Sequence, residues 1–265
     1  MQEYTIHGGI AGKRRLEILS RTIRPGTERF LKTAKLHAGM RCLDLGCGGG
    51  DVTLAIAKRI GFDGIIVGLD LDEHKIQLAT ESASIKGIKN VQFKAFNAYD
   101  LTDESAYDLV YSRFLLSHLR KPKIVLQNMW TALRTDGMLL IEDTDFSGHF
   151  SHPPFGPFNR YVNLYQRLLK KRGADANIGQ KLVGLLQETG FVDVQFQISQ
   201  PVHLEGEGKL MAEITFEGIS KALIEEGLTS VDEAQKIHTG LVNFRKRSDS
   251  LISLPRIFQV HGRRP

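Results

Sequence analysis

Cysteine is scarce: Cys42 and Cys47 are the only two in 265 residues, and both fall in one short segment that reads as strand and turn. A disulfide framework is therefore excluded, and a reducing compartment is expected. Long apolar runs are missing as well. No stretch approaches the roughly 18 apolar residues of a spanning helix. Residues 1–19 carry Glu3, Lys13, Arg14, Arg15 and Glu17 where a secretory signal would carry an apolar core. These absences predict a cytoplasmic protein without a membrane span. Charge of one sign is also lacking: 35 Lys and Arg oppose 30 Asp and Glu, a formal +5, which permits an acidic partner without requiring one. With 42% hydrophobic and 25% charged residues, the composition excludes extended disorder, collagen-like chains and coiled coil. Internal repeats and low-complexity tracts are absent too. At roughly 150 residues per domain the length allows one elaborated domain or two small ones.

What is present is an alternation. Apolar strands are expected at 41–45, 65–70, 91–96, 107–112 and 138–141, the last after an Asp136-Gly137 turn. Helical patterns separate them at 51–60, from Ile76 through Ala79 and Ala83 to a stop at Gly87, and at 122–133. Strands alternating with helices predict a doubly wound α/β fold, a mostly parallel sheet covered on both faces. From Phe146 the regularity breaks. A loop is expected at 151–157, helices at 158–171 and 182–188, a strand at 191–198, a mostly helical stretch at 210–247 broken at Gly227 and Gly240, and a final strand at 256–260. The reading is a single domain with core 36–145, 180–200 and 254–262, elaborated by residues 1–35, 146–180 and 201–253.

The first strand, Arg41-Cys42-Leu43-Asp44-Leu45, runs into Gly46-Cys47-Gly48-Gly49-Gly50 and then a helix. A helix N-terminus after a parallel strand offers free N–H groups, and glycines let a ligand approach the backbone closely. The dinucleotide pattern G-x-G-x-x-G fails here, because Asp51 stands where its third glycine belongs. An acid there is unfavourable beside a pyrophosphate. Asp44 adds a second carboxylate at the strand end, so the turn suits a cation.

Asp44-Leu45-Gly46-Cys47-Gly48-Gly49-Gly50 resembles the D-x-G-x-G-x-G motif of class I S-adenosylmethionine-dependent methyltransferases. Asp70, at the end of the second strand, matches that family's second acid. Asn97-Ala98 stands near the third strand, where the family has an acid, and an Asn oxygen still accepts a hydrogen bond. Residues 107–113 with His118 fit the next motif, and residues 133–141 fit the fifth-strand entry. The resemblance covers residues 36–145 well and the final strands more loosely. It implies a seven-stranded Rossmann-like sheet with a helical lid, S-adenosylmethionine as cofactor and S-adenosylhomocysteine as product. By the same resemblance Asp44, Gly46, Cys47, Gly48 and Gly50 hold the methionine part, Asp70 the ribose hydroxyls, Leu71 the adenine face, and Asn97 and Ala98 the adenine edge. Tyr4 and Arg113 complete the expected cofactor set. The branch most resembled is the small-molecule one that includes quinone-biosynthesis C-methyltransferases.

Other residues carry competing readings. Asp72 is the better-placed cap for the helix after the second strand, which leaves Asp70 for a ligand. Cys47 lacks a base partner, so a structural role is expected, and Asp51 is expected to cap or complement its helix. Arg113 and His118 follow the fourth strand and Glu142-Asp143-Thr144-Asp145 the fifth, on the edge where such sheets bind ligands. His118 and Asp143 are the candidate catalytic groups. His149 and His152 lack metal-ligand spacing, so no metal is expected. The triplets Lys170-Lys171-Arg172 and Arg245-Lys246-Arg247 have no interleaved aromatics, and nucleic acid is not expected as a partner. The Asn/Asp-Pro-Pro-aromatic motif of nucleobase amino methylation is absent, since Ser112-Arg113-Phe114-Leu115 stands in its place.

The expected function is methyl transfer to a small organic acceptor under the lid, with Tyr4, Phe155, Phe158, Tyr161 and Tyr165 as candidates for its apolar lining. A methyltransferase acting on RNA or protein and a nicotinamide-dependent oxidoreductase are the alternatives. The acceptor atom and the oligomeric state are left open by the sequence.

Overall fold

The computed structural model describes residues 9–265, with side chains from Arg15 onward. In chain order the first half comprises α1 (Gly9–Leu31), β1 (Arg41–Leu45), α2 (Asp51–Arg59), β2 (Ile65–Asp70), α3 (Glu73–Ile85), β3 (Val91–Ala95), β4 (Tyr107–Arg113), α4 (Pro122–Ala132) and β5 (Leu133–Asp145). The second half comprises β6 (Ser151–His152), α5 (Gly156–Lys171), α6 (Leu182–Thr189), β7 (Val192–Ser199), β8 (Val202–His203), α7 (Met211–Glu225), α8 (Val231–Arg245), β9 (Leu251–Ser253) and β10 (Arg256–Arg263).

Seven strands form one sheet in the order β3-β2-β1-β4-β5-β10-β7, and β6-β9-β8 form a small second sheet. The five N-terminal strands pair in parallel, while β10 runs antiparallel to both β5 and β7. This is the expected mostly parallel, doubly wound sheet. β1 is buried on both faces, which is why it reads as a near-continuous apolar run. Leu43 and Leu45 pack with Val125, Leu126 and Met129 of α4 and Leu182 and Leu186 of α6. Cys42, of opposite parity, packs with Val52 and Ile56 of α2 and Phe30 and Leu31 of α1. Local chemistry sets the helix ends. Asp72 accepts from the His74 and Lys75 amides at 3.0 and 3.2 Å, as expected of a cap. Ser230 accepts from the Glu233 amide at 3.1 Å to start α8.

Two local expectations are corrected. β5 spans 13 residues instead of four. The ladder is extended past the Asp136-Gly137 kink by bonds to the chain end, Asp136 N–H to Arg264 C=O and Arg264 N–H to Gly137 C=O, both 2.9 Å. Gly240 does not break its helix but lies inside α8, where a Cβ would stand 3.0 Å from Pro157. Its smallness serves a close approach to the start of α5.

The elaborating segments share a core of their own. Phe158, Tyr161, Leu164, Leu168, Phe216, Ile219, Leu241 and Phe244 unite α5, α7 and α8. α1 joins this body to the sheet: Ile18 and Ile23 pack with Met211, Leu254 and Ile257. The helical body is thereby seated against the carboxyl edge of the parallel strands.

Candidate active site

β1 and β4 are neighbours whose connections leave in opposite directions, β1 towards β2 and β4 towards β5. Such a switch point opens a crevice at the carboxyl ends of the strands. A cavity of about 570 Å³ occupies it, extending from the glycine turn to the helical body.

The turn is built by left-handed backbone. Gly46, Gly48 and Gly50 have φ of 81°, 54° and 77°, conformations glycine reaches without steric penalty. The turn is tied down by the Gly46 and Cys47 amides, which donate to Leu69 C=O at 2.7 and 2.9 Å. At Gly50 a Cβ would strike Phe93 at 2.8 Å, whereas at Gly48 and Gly49 it would meet nothing within 4 Å. Gly50 is thus a packing glycine, and the open side of the turn is Gly48-Gly49, which lines the cavity.

Three carboxylates surround that turn. Asp44 is 2% exposed and accepts from Thr53 Oγ1 at 2.6 Å. Burial pushes it up to about 7, against the Thr53 hydrogen bond and the charge of Arg113. Asp70 accepts from the Gly48 amide at 2.9 Å and the Asp72 amide at 3.0 Å, so each oxygen keeps a further lone pair. Asp51 accepts from Arg113 Nη2 on both oxygens at 2.9 Å and from Ser20 Oγ at 2.5 Å. Burial raises Asp51, but Arg113 and the Ser20 hydrogen bond outweigh it and hold the carboxyl below its ordinary value. Gly50, not Asp51, is the N-cap of α2, with no side-chain cap. The chemistry of this donor set fits a cation with hydroxyl groups: a buried carboxylate held partly neutral, a second carboxylate on the next strand and glycine backbone between them.

The far end of the cavity is different. Phe146, Tyr161, Tyr165 and Met211 line it, with Phe146 stacked on Tyr165 at 3.8 Å. His118 is pushed down to about 4 by burial and by the charges of Arg15 and Lys75. His149 is pushed down to about 3 by burial, and its Nδ1 lies 2.9 Å from Ser253 C=O. Both imidazoles are neutral at physiological pH. Arg15 donates through Nε to Thr215 Oγ1 at 3.3 Å.

Asp44, Gly46, Cys47, Gly48, Asp70, Leu71, Asn97, Ala98, Arg113 and His118 all line this cavity, so these positions are brought together from five separate segments. Asn97 accepts from the Tyr99 amide at 3.2 Å. Tyr4 lies outside the described residues. Asp143 is buried and off the cavity wall: it accepts from the Ser117 amide at 3.1 Å and the Thr144 amide at 2.8 Å. Burial moves it up to about 6 against those bonds. Glu142 accepts from Tyr111, from Thr27 Oγ1 at 3.1 Å and from Gln259 Nε2 at 2.6 Å. Asp145 pairs with Arg256 Nη2 at 2.6 Å. Of residues 142–145 only Thr144 reaches the wall. Phe155 stacks on Phe244 at 4.5 Å and Phe158 is fully buried in the helical body, whereas Tyr161 and Tyr165 line the cavity. Lys171 Nζ donates to Glu226 C=O at 2.5 Å and Arg172 Nε to Glu226 Oε1 at 2.7 Å, so two of the first basic triplet tie α5 to the end of α7. Away from the cavity, Glu213, Glu217 and His238 place ligand atoms within 4.8 Å of one another, with His238 Nε2 on Glu217 at 2.7 Å and Glu213 on Arg245 at 2.8 Å. Arg15, Thr215 and Ser20 were not legible as site residues, since nothing in their local pattern distinguishes them from other helix positions.

Among the described residues no helix is long and apolar enough to cross a membrane. A family profile described as "Methyltransferase domain" matches residues 36–183. Demethylmenaquinone methyltransferase of Lactobacillus johnsonii is 31% identical over 158 residues, covering 57% of this chain and 62% of that protein. Phosphoethanolamine N-methyltransferase 1 of Arabidopsis thaliana is 28% identical over 170 residues, 63% of this chain and 32% of its own. The chain thus spans less than two thirds of these curated relatives. Among solved structures, YcgJ of Bacillus subtilis superposes with a TM-score of 0.60 at 17% identity, covering 89% of this chain and 96% of that one. A Haemonchus contortus phosphoethanolamine N-methyltransferase 2 complex with S-adenosyl-L-methionine gives 0.55 at 16% identity, covering 96% and 52%. At those identities the likeness is one of fold.

Proposed function

The chain belongs to the methyltransferase-domain family, matched over residues 36–183, and on that premise we propose that it transfers a methyl group from S-adenosylmethionine to a small organic acceptor enclosed by the helical body. When bound, that cofactor supplies an electrophilic methyl on a sulfonium, and the protein's contribution is to bind, align and exclude water. Asp44 and the Gly48-Gly49 backbone would hold the amino acid end, Asp70 the ribose hydroxyls, Leu71 and Asn97-Ala98 the base. Arg113, fixed by Asp51, keeps donors for a carboxylate. His118 stands in the wall as a neutral imidazole.

The observation that carries this reading is one cavity with two unlike ends: three carboxylates around an open glycine turn, continuous with an aromatic chamber roofed by α1, α5 and α7. A volume of about 570 Å³ lies within the roughly 300–1,000 Å³ of small-molecule sites. In this reading residues 9–31, 146–180 and 201–253 act as the lid. The test is transfer of labelled methyl from S-adenosylmethionine into a cell extract, separated into organic-soluble, RNA and protein fractions. Label in the small-solute fraction supports the proposal; label confined to RNA or protein overturns it.

A further inference from the structure

The chamber opposite the glycine turn has a charge pattern of its own. Of the carboxylates along the cavity, Asp44, Asp51 and Asp70 gather at the turn, and Glu17 and Glu81 are exposed. Asp143 and Asp145 lie beside the chamber but are engaged by the 116–117 backbone and by Arg256. His118 and His149 are neutral, and burial holds the Tyr161 phenol above its ordinary value, so it keeps its proton. Arg15 is the exception. Its Nε donates to Thr215, its charge acts on both His118 and Tyr161, and among the described residues it forms no ion pair. A half-buried guanidinium that lines the same cavity as Phe146, Tyr161 and Tyr165 leaves its remaining donors for a ligand, and bidentate pairing with a carboxylate or oxyanion is what that fork provides.

We propose that Arg15 anchors an anionic oxygen of the methyl acceptor, and that the acceptor is therefore an aromatic acid seated between Arg15 and the Phe146–Tyr165 wall. The proposal rests on the methyltransferase reading and deepens it. The aromatic walls favour a flat ring over an aliphatic chain, and the guanidinium disfavours an acceptor that enters as an ammonium. The cavity is then bipolar: its acidic end receives the cationic cofactor, its basic end the anionic acceptor, and each sign repels the wrong occupant.

The test uses the full chain saturated with S-adenosylhomocysteine and calorimetric titration with four probes: 1-hydroxy-2-naphthoate, 2-naphthol, 2-naphthylmethylamine and phosphoethanolamine. The naphthoate is expected to bind at least about tenfold more tightly than the other three, and Arg15→Gln to lose about tenfold or more of that affinity without changing the naphthol or S-adenosylhomocysteine affinities. In parallel, labelled product from the cell extract is expected to be retained on an anion exchanger. Equal binding of naphthoate and naphthol, tighter binding of the amine or of phosphoethanolamine, no binding of any probe, or an Arg15→Gln protein that keeps its naphthoate affinity overturns the proposal, as does a labelled product that passes the exchanger. Failure to bind S-adenosylhomocysteine at all removes the methyltransferase reading itself, which separates the two failures.

Discussion

Arg113 Nη2 donates to both carboxylate oxygens of Asp51 at 2.9 Å, joining the end of β4 to the first turn of α2 across the switch-point crevice. The pair fixes Arg113 beside Asp44, whose ionisation the guanidinium favours and the Asp51 carboxylate opposes. It also explains why an acid stands where a dinucleotide fold has its third glycine: Asp51 orients Arg113 and takes the Ser20 hydroxyl of α1.

Replacing Arg113 with Met should destabilise the protein by about 2 kcal/mol or more, because it leaves Asp51 and the buried Asp44 without their compensating charge. The figure is below that for a fully buried pair, since Asp51 is partly exposed. Chemical denaturation of Arg113→Met and Arg113→Lys measures it, with Lys expected to recover part of the loss. Asp51 is held below its ordinary value, so its contribution is present above the unfolded carboxylate range of roughly 4 and is lost as pH falls through its lower folded value.

Asp44 should make cofactor binding pH-dependent. With its carboxyl raised to about 7 by burial, the ligand-free site is half protonated near neutrality, and a cationic ligand selects the ionised form. Affinity for S-adenosylmethionine is expected to rise with pH from 5.5, by at most about tenfold per unit, and to level off above 7. The sign for stability is opposite. A folded value raised above the unfolded one favours the fold below about pH 4, and that contribution is lost as pH rises through 7. Titration calorimetry on the wild type and Asp44→Asn checks the first, the variant binding more weakly and with a flat profile, and denaturation of both proteins across the same pH range checks the second.

Asp70→Ala should weaken S-adenosylmethionine binding by about 2–3 kcal/mol if both ribose hydroxyls donate to it. Part of that loss belongs to the turn, since Asp70 also holds the Gly48 amide. Asp70→Asn keeps one acceptor oxygen and is expected to fall between wild type and Ala. An unchanged affinity in a folded Ala variant contradicts the assignment.

Gly49→Ala and Gly50→Ala should separate binding from folding. Gly50 has φ 77° and a Cβ there would meet Phe93 at 2.8 Å, so the substitution is expected to cost about 2 kcal/mol of stability through strain and overpacking. At Gly49 a Cβ meets nothing within 4 Å, so stability should be near wild type while cofactor affinity drops. Thermal denaturation with and without S-adenosylhomocysteine distinguishes the two.

The parallel strands and the turn between β1 and α2 were determined by the sequence alone, because their signals are local. Arg41–Leu45 and Ile65–Asp70 appear where apolar runs and glycine punctuation place them, and Asp72 caps α3 because an Asx side chain reaches the amides just ahead of it. The positions around the glycine turn were legible through the family resemblance, whose motifs place them directly after the strand ends. Only the tertiary structure decided the rest. Asp143 and His118 stand equally well placed in the sequence, yet Asp143 is turned to the Ser117 amide and His118 to the cavity, a difference set by how the turn after β4 packs on β5. Arg15 and Thr215 meet across 200 residues because α1 and α7 pack together. No local periodicity encodes which polar side chain of an amphipathic helix will face a chamber that several segments must first assemble.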